Sequence, residues 1–255
     1  MPSEEPCFSK TQNDKMAFVM VRIKLDQEKI PQHIGIIMDG NRRWAEKRGL
    51  TINEGHEAGA KNLERIVNHC LDLGVKTLTV YALSTENWRK RTKKEVKGIF
   101  DLILRVAKEK KKEYEVKGVK MAVLGEFQAF PRKVARAIGE ILNIVKTHER
   151  LKVNLALNYG SRDEILEAVK KVIKEKVPPR KLNEKTFSKF LYTNGEPDPD
   201  LIIRTAGEVR VSNFLLWQMS YSELYFTDTL WPDFDEKEFD KAIAEYQKRK
   251  RNFGK

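Results

Sequence analysis

"IGIIMDGNRRW", residues 34 to 44, decides how the rest of the chain is read. Ile34 to Met38 form a short apolar run of the kind that is buried on both faces of a parallel sheet. Asp39 and Gly40 end that run, and Asn41, Arg42, Arg43 and Trp44 open the helix that follows. In an open parallel sheet the ligand crevice lies beyond the carboxyl ends of the strands, which is where this reading puts Asp39. Gly40 permits an unusual backbone turn, and a helix start beside two arginines suits phosphate or diphosphate. A carboxylate in that place makes sense if a divalent cation bridges it to the anion; the plainer reading is that Asp39 only caps the helix.

Working outward, the same alternation recurs. Strands are expected at Ile34 to Met38, Val75 to Leu83, Val119 to Leu124, Val153 to Asn158 and Leu201 to Ile203, with a last one at Leu224 to Phe226. Helical patterns fall near 57–73, 94–117, 131–148, 161–176 and 236–250. The order predicts an α/β fold: a single domain with a mostly parallel central sheet flanked by helices. Residues 1–29 read as a variable N-terminal segment and 30–255 as the one folded domain. Along 94–117, Val96, Ile99, Phe100, Ile103, Val106 and Ala107 make one apolar stripe opposite a basic face, which is either core or the wall of a greasy cavity.

Two other stretches repeat the chemistry of the first. "YALSTENWRKR", 81–91, ends a strand and supplies Ser84, Thr85, Glu86 and Asn87 as short hydrogen-bonding groups, Trp88 as a flat apolar wall, and Arg89 and Arg91 as donors; a helix start with a tryptophan staple would explain much of it. "IIRTAGEVRVSNFLLW", 202–217, sets Arg204, Arg210 and Ser212 around a Gly207 loop after a strand, a second anion pocket. Glu223, among aromatics and leucine, is a buried acceptor or a metal ligand. Two such pockets with two carboxylates suggest an enzyme acting on two phosphorylated substrates.

Composition narrows the classes. The chain has 255 residues, is 40% hydrophobic and 34% charged, and has no apolar stretch near the roughly 20 residues that cross a bilayer. Its first residues are polar and acidic, unlike a secretory signal, so a cytoplasmic location is expected. Cys7 and Cys70 lie far apart without a CxxC pairing, and the four histidines show no zinc spacing. His56 precedes a helix and faces either the anion pocket or a helix-start hydrogen bond. A net charge of +12 implies an anionic partner. Nucleic acid is disfavoured, because such a protein has no reason to place carboxylates beside its cationic pockets. GxxxxGK[ST] and GxGxxG loops are absent.

Taken together, "HIGIIMDGNRRWA", "LSTENW" and "RTAGEVRVSNFLLWQMSYSELYFTDTLWPDF" closely resemble the cis-prenyltransferases, the undecaprenyl and dehydrodolichyl diphosphate synthases, from about Pro31 onward. The resemblance implies repeated addition of isopentenyl diphosphate to an allylic diphosphate, with Mg2+, to make a long-chain cis-polyprenyl diphosphate, precursor of a glycosyl carrier lipid. By motif, Asp39 would hold Mg2+ and Glu223 would complete the metal site. Gly40, Asn41, Arg42, Arg43, Trp44 and His56 would grip the allylic diphosphate. Ser84, Thr85, Glu86, Asn87, Trp88 and Arg91, or Arg89 or Lys90 in its place, would line the condensation site, with Asn87 helping to remove the proton. Arg204, Arg210, Val211 and Ser212 would bind isopentenyl diphosphate. An apolar tunnel walled by the 94–107 stripe with Ile141, Leu142 and Ile144 would shelter the growing chain. A homodimer working peripherally at the membrane is implied, and "KRKRNFGK" at the end either touches acidic lipid or the partner subunit, or is a solvated tail. Ile52 stands where bacterial members have an arginine, with Arg42 as a replacement, and Val209 stands in place of a histidine; these departures resemble archaeal or eukaryotic members. The competing readings are a non-catalytic subunit of a prenyltransferase complex, and a phosphohydrolase, which would need an acid where Asn41 stands.

Overall fold

The computed structural model describes residues 23–90, 92–142 and 149–249. In chain order the elements are β1 (His33–Ile37), α1 (Asn41–Glu46), α2 (Ile52–Leu73), β2 (Thr77–Ser84), α3 (Thr85–Lys90) and α4 (Lys93–Lys117). Then follow β3 (Val119–Leu124), α5 (Arg132–Leu142), β4 (Leu151–Tyr159), α6 (Ser161–Lys174), α7 (Glu184–Ser188), β5 (Leu201–Arg204), β6 (Glu223–Phe226) and α8 (Glu236–Lys248). All six expected strands are present and form one sheet in the order β3-β4-β2-β1-β5-β6, parallel at every pairing.

β1 is buried along its whole length, as a strand between β2 and β5 with cover on both faces must be. On one face Ile34, Ile36, Leu78, Val80 and Val153 pack against α2 and α8 through Ile66, Cys70, Phe239 and Ile243, with Trp231 and Phe234 filling between. On the other, Ile37, Ile202 and Ala156 pack on Tyr159, Phe214 and Leu215. α4 and α5 meet β2 and β4 through a smaller cluster of Val96, Phe100, Val134, Ile138, Leu83 and Leu157.

Several boundaries differ from the expectation for local reasons. α2 begins at Ile52 rather than near 57 because Thr51 caps it: the Thr51 hydroxyl accepts from Glu54 N (3.3 Å), and the Glu54 carboxylate accepts from Thr51 N (2.8 Å). Thr92 and Glu95 start α4 in the same way. The helix expected over 131–148 is described as far as Leu142; 143–148 lie outside the described residues, as does most of the N-terminal segment assigned to 1–29.

Candidate active site

β1, β2 and β5 end side by side, in register at Ile36↔Val80 and Ile37↔Arg204, and the loops leaving them converge on one cavity. The turn after β1 is fixed by Gly40 at φ +112°, where a Cβ would stand 3.0–3.1 Å from Leu230 and Ala206. The peptide of Asp39 is clamped from the far end of the chain. Asp39 N donates to the Thr205 hydroxyl (3.0 Å), that hydroxyl donates to the Asp39 carbonyl (2.7 Å), and Trp231 N donates to the same carbonyl (3.0 Å). The Asp39 carboxylate, about one-third exposed, accepts from Arg204 Nη2 (3.0 Å) and lies 3.5 Å from Arg43 Nη2.

Arg204, 4% exposed, is the most withdrawn cation of the site. Its Nη1 donates to the Arg210 carbonyl (2.6 Å) and to Ser212 Oγ (2.7 Å), while its buried Nε has no partner among the described residues. A buried guanidinium with an open donor is suited to an incoming anion. The loop that it organises is strained, with Ala206, Ser212, Asn213 and Leu215 all at positive φ. Asn213 ties this loop to its surroundings: its carbonyl accepts from Ser161 N (2.9 Å), its Oδ1 from Arg162 N (2.9 Å), and its Nδ2 donates to Glu86 (3.1 Å). Burial alone would lift the Glu86 carboxyl. Its own backbone N–H, the Asn213 amide, the Ser84 hydroxyl and nearby Arg89 outweigh that and hold it below the ordinary carboxylate range.

The cavity measures about 940 Å³. Its mouth is polar, with Asp39, Gly40, Asn41, Arg42, Arg43, His56, Ser84, Glu86, Asn87, Arg204, Arg210 and Ser212, and its depths are lined by Leu63, Ile103, Val106, Tyr114, Met121 and Leu155. Most of the residues singled out from sequence are therefore brought together. Each of four arginines holds a carboxylate: Arg42 pairs with Glu95, Arg43 and Arg204 with Asp39, and Arg210 with Glu208. Ser84 also does what the plainer reading asked, its hydroxyl accepting from Asn87 N (3.0 Å) at the start of α3. The apolar stripe of α4 is divided: Val106 faces the cavity, Val96 and Phe100 pack against α5, and Ile99 and Ile103 do both.

Five assignments need correction. Trp44 faces away from the cavity, its indole N–H donating to Asp233 (2.7 Å) under the Arg48 guanidinium. Trp88 leaves the cavity lining to pack at a tilt against Phe100 and Phe130, a staple of α3 onto α4 and α5. Thr85 and Val211 are packed beside the site, the first buried at the start of α3 and the second against the cluster behind β5. Glu223 is not near Asp39. It opens β6 in register with Leu201 and Ile34, five residues before Asp39 along the strand direction, roughly 16 Å at 3.3 Å per residue. There its carboxylate accepts from Arg249 (2.7 Å), so within one chain it cannot share an ion with Asp39. Leu142 joins the α4–α5 cluster; Arg91, Ile144, the Ile141 side chain and most of "KRKRNFGK" lie outside the described residues. Thr205, Asn213, Tyr81, Glu95 and Glu208 were not foreseen. Only the capping box at Thr92 gave a local signal, for Glu95.

Among the described residues no three histidine, cysteine or acidic side chains are placed to hold a metal. Asp39, about one-third exposed and opening on the cavity, offers the single carboxylate oxygen donor that would suit a hard divalent cation such as Mg2+.

Residues 37–254 match the family model described as "Putative undecaprenyl diphosphate synthase". An isoprenyl transferase of Aquifex aeolicus is 49% identical over 227 residues, covering 89% of this chain and 97% of the relative. Lavandulyl diphosphate synthase from Lavandula x intermedia, solved with dimethylallyl diphosphate, superposes with a TM-score of 0.85 at 37% identity, covering 89% of this chain and all of that one. A probable undecaprenyl diphosphate synthase from Campylobacter jejuni gives 0.74 at 36% identity, covering 88% and 99%. The archaeal cast read from Ile52, Arg42 and Val209 gains no support from these bacterial and plant relatives.

Proposed function

The chain belongs to the cis-prenyltransferase family, and from that premise we propose that it condenses isopentenyl diphosphate repeatedly onto an allylic primer, farnesyl or geranylgeranyl diphosphate. The product is a long-chain cis-polyprenyl diphosphate that serves as precursor of a glycosyl carrier lipid. The observation that carries the reading is the division of one cavity into an arginine-lined mouth, with an open buried donor on Arg204, and an apolar depth along α4. That division matches a diphosphate head on a hydrocarbon chain. Glu95 and Tyr114 both line the cavity, nineteen residues apart on α4, which gives it a length of about 28 Å at 1.5 Å per residue.

In the proposed mechanism Arg43, Gly40 and Asn41 hold the allylic diphosphate, with Arg42 and His56 beside them. Arg204, Arg210 and Ser212 hold isopentenyl diphosphate. Because these arginines are parked on carboxylates, each diphosphate draws them off a partner already within reach, so charge is exchanged rather than created in a low-dielectric pocket. The carbon–oxygen bond of the primer breaks, the terminal alkene carbon of isopentenyl diphosphate bonds to the freed allylic carbon, and a proton leaves toward the side of Asn87. Mg2+, held by Asp39, would supply positive charge against the departing diphosphate. Trp88 and Thr85 shape the site from behind rather than touching substrate.

A homodimer with peripheral membrane contact and a cytoplasmic location completes the proposal. In its support, Leu166, Val169 and Ile173 form an exposed apolar line on α6 at the spacing of one helix face. Among the described residues no helix is long and apolar enough to cross a membrane. The test is incorporation of labelled isopentenyl diphosphate with Mg2+ and either primer, beside Asp39→Ala. Long cis product that vanishes in the variant supports the reading; no product from either primer with folded protein returns it to the non-catalytic subunit.

A further inference from the structure

α4 and α5 follow β2 and β3, so both begin on the face of the molecule where the cavity opens. That face carries a rim of cations. Lys90 closes α3, Lys94 and Lys97 lie in the opening turns of α4, and Arg132, Lys133 and Arg136 open α5; all six are exposed. Among the described residues none of them forms an ion pair or donates a side-chain hydrogen bond. The two groups adjoin, because the Trp88 ring of α3, two residues before Lys90, packs 5.0 Å from that of Phe130, two residues before Arg132.

Stability alone would not choose this arrangement. The positive end of a helix dipole favours acids, and α6 and α8 duly begin with Asp163 and Glu164 and with Glu236 and Glu238. The first turn of α5 holds no acid. The acids that do stand near are engaged or displaced: Glu86 accepts from Asn213, Glu95 pairs with Arg42 and closes its capping box, and Asp101 and Glu140 lie a turn further along their helices. The rim is thus a set of unneutralised point charges beside two half-buried aromatics, Trp88 and Phe127. Such a surface offers no ladder of stacking rings for nucleic-acid bases and no deep cleft for a peptide.

We propose that this rim docks the protein on a bilayer rich in anionic lipid, with the cavity mouth turned toward the membrane. The inference rests on the prenyltransferase reading for its purpose, since a long-chain prenyl diphosphate is soluble only in a membrane, but the docking itself is measured without turnover. Juxtamembrane cations add to binding roughly in proportion to their number, and salt weakens them.

The experiment is co-sedimentation of the full chain with vesicles of phosphatidylcholine, alone or containing phosphatidylglycerol. Two variants of equal net charge are compared. One replaces Lys94, Lys97, Lys133 and Arg136 with Gln; the other replaces the exposed Lys108, Lys112, Lys174 and Lys185. The wild type binds only the anionic vesicles, the rim variant loses on the order of 100-fold in partition coefficient, and the control variant loses far less. Turnover of a short primer in detergent solution stays unchanged in the rim variant. Equal loss in both variants, or no wild-type binding to anionic vesicles, overturns the proposal. Vesicle binding that follows the rim while no variant turns over primer would instead sink the enzymatic reading and leave the surface standing.

Discussion

Arg204 works as a hub because its planar fork meets three partners at once, Asp39, Ser212 and the Arg210 carbonyl, and still has Nε to offer. Lysine cannot reproduce that fork, so Arg204→Lys should lower kcat/KM for isopentenyl diphosphate by roughly 100-fold or more, read from steady-state kinetics. The Thr205 hydroxyl, which holds both polar ends of the Asp39 peptide, makes a sharper test. Thr205→Val should cost about 1–3 kcal/mol in stability and lower kcat, whereas Thr205→Ser should keep both near wild type. Trp44 was read as a substrate contact and proves to be a brace, so Trp44→Phe should leave both substrate KM values unchanged. Loss of the bond to Asp233 should lower Tm by a few degrees, roughly 1 kcal/mol in a chain of this length. The difference between these residues explains what sequence could carry. Arg204, Arg210 and Ser212 announce themselves as donors after a strand, while Thr205 looks like any buried threonine until a partner 166 residues away is brought beside it.

At the scale of elements, periodicity told buried from exposed but not core from cavity. The α4 stripe reads as one line in sequence, yet Phe100 packs against α5 while Val106 lines the cavity, with Ile103 between the two environments. Tyr114 closes the lower end of the cavity against Met121 and Leu63, and burial raises its phenol pKa to about 12. Tyr114→Ala should lengthen the product, seen as a shift to larger polyprenols after chromatography, with the first condensation unaffected. The meeting of α1 with α2 depends on missing side chains: a Cβ on Gly59 would stand 2.3 Å from Asn41 Oδ1 and 3.0 Å from Trp231. Helix boundaries erred where capping decided them, since Thr51 and Glu54 begin α2 before its apolar rhythm is established.

Across the whole molecule, the sheet was legible because five or six β-rich runs alternated with amphipathic ones, and parallel pairing follows from that order. Glu223 was misplaced for another reason: a strand at Leu224 to Phe226 already sets it at the amino end, away from Asp39, and only the motif resemblance made it a metal ligand. Away from the site, His33 at 2% exposure is wedged between the Pro197 carbonyl (2.7 Å) and the Thr79 hydroxyl (2.8 Å), and burial lowers its pKa below 6.5. The unfolded chain therefore takes up a proton before the folded one does, and stability is lost as pH falls below about 6.5. Denaturant unfolding at pH 7.5 and pH 5.5 should show that loss, and His33→Gln, though less stable at pH 7.5, should show a smaller one.

The strand order also has a consequence in time. β1 is made early but needs β5 as its neighbour, and at 5–20 residues per second the ribosome takes roughly 10–30 s to pass from Ile37 to Arg204. During that interval Asp39 follows a greasy strand with one edge unpaired, open to pairing with another chain. Asp39 and Arg204, side by side in the fold, thus meet late in synthesis, and the cavity mouth is completed only once nearly the whole chain exists.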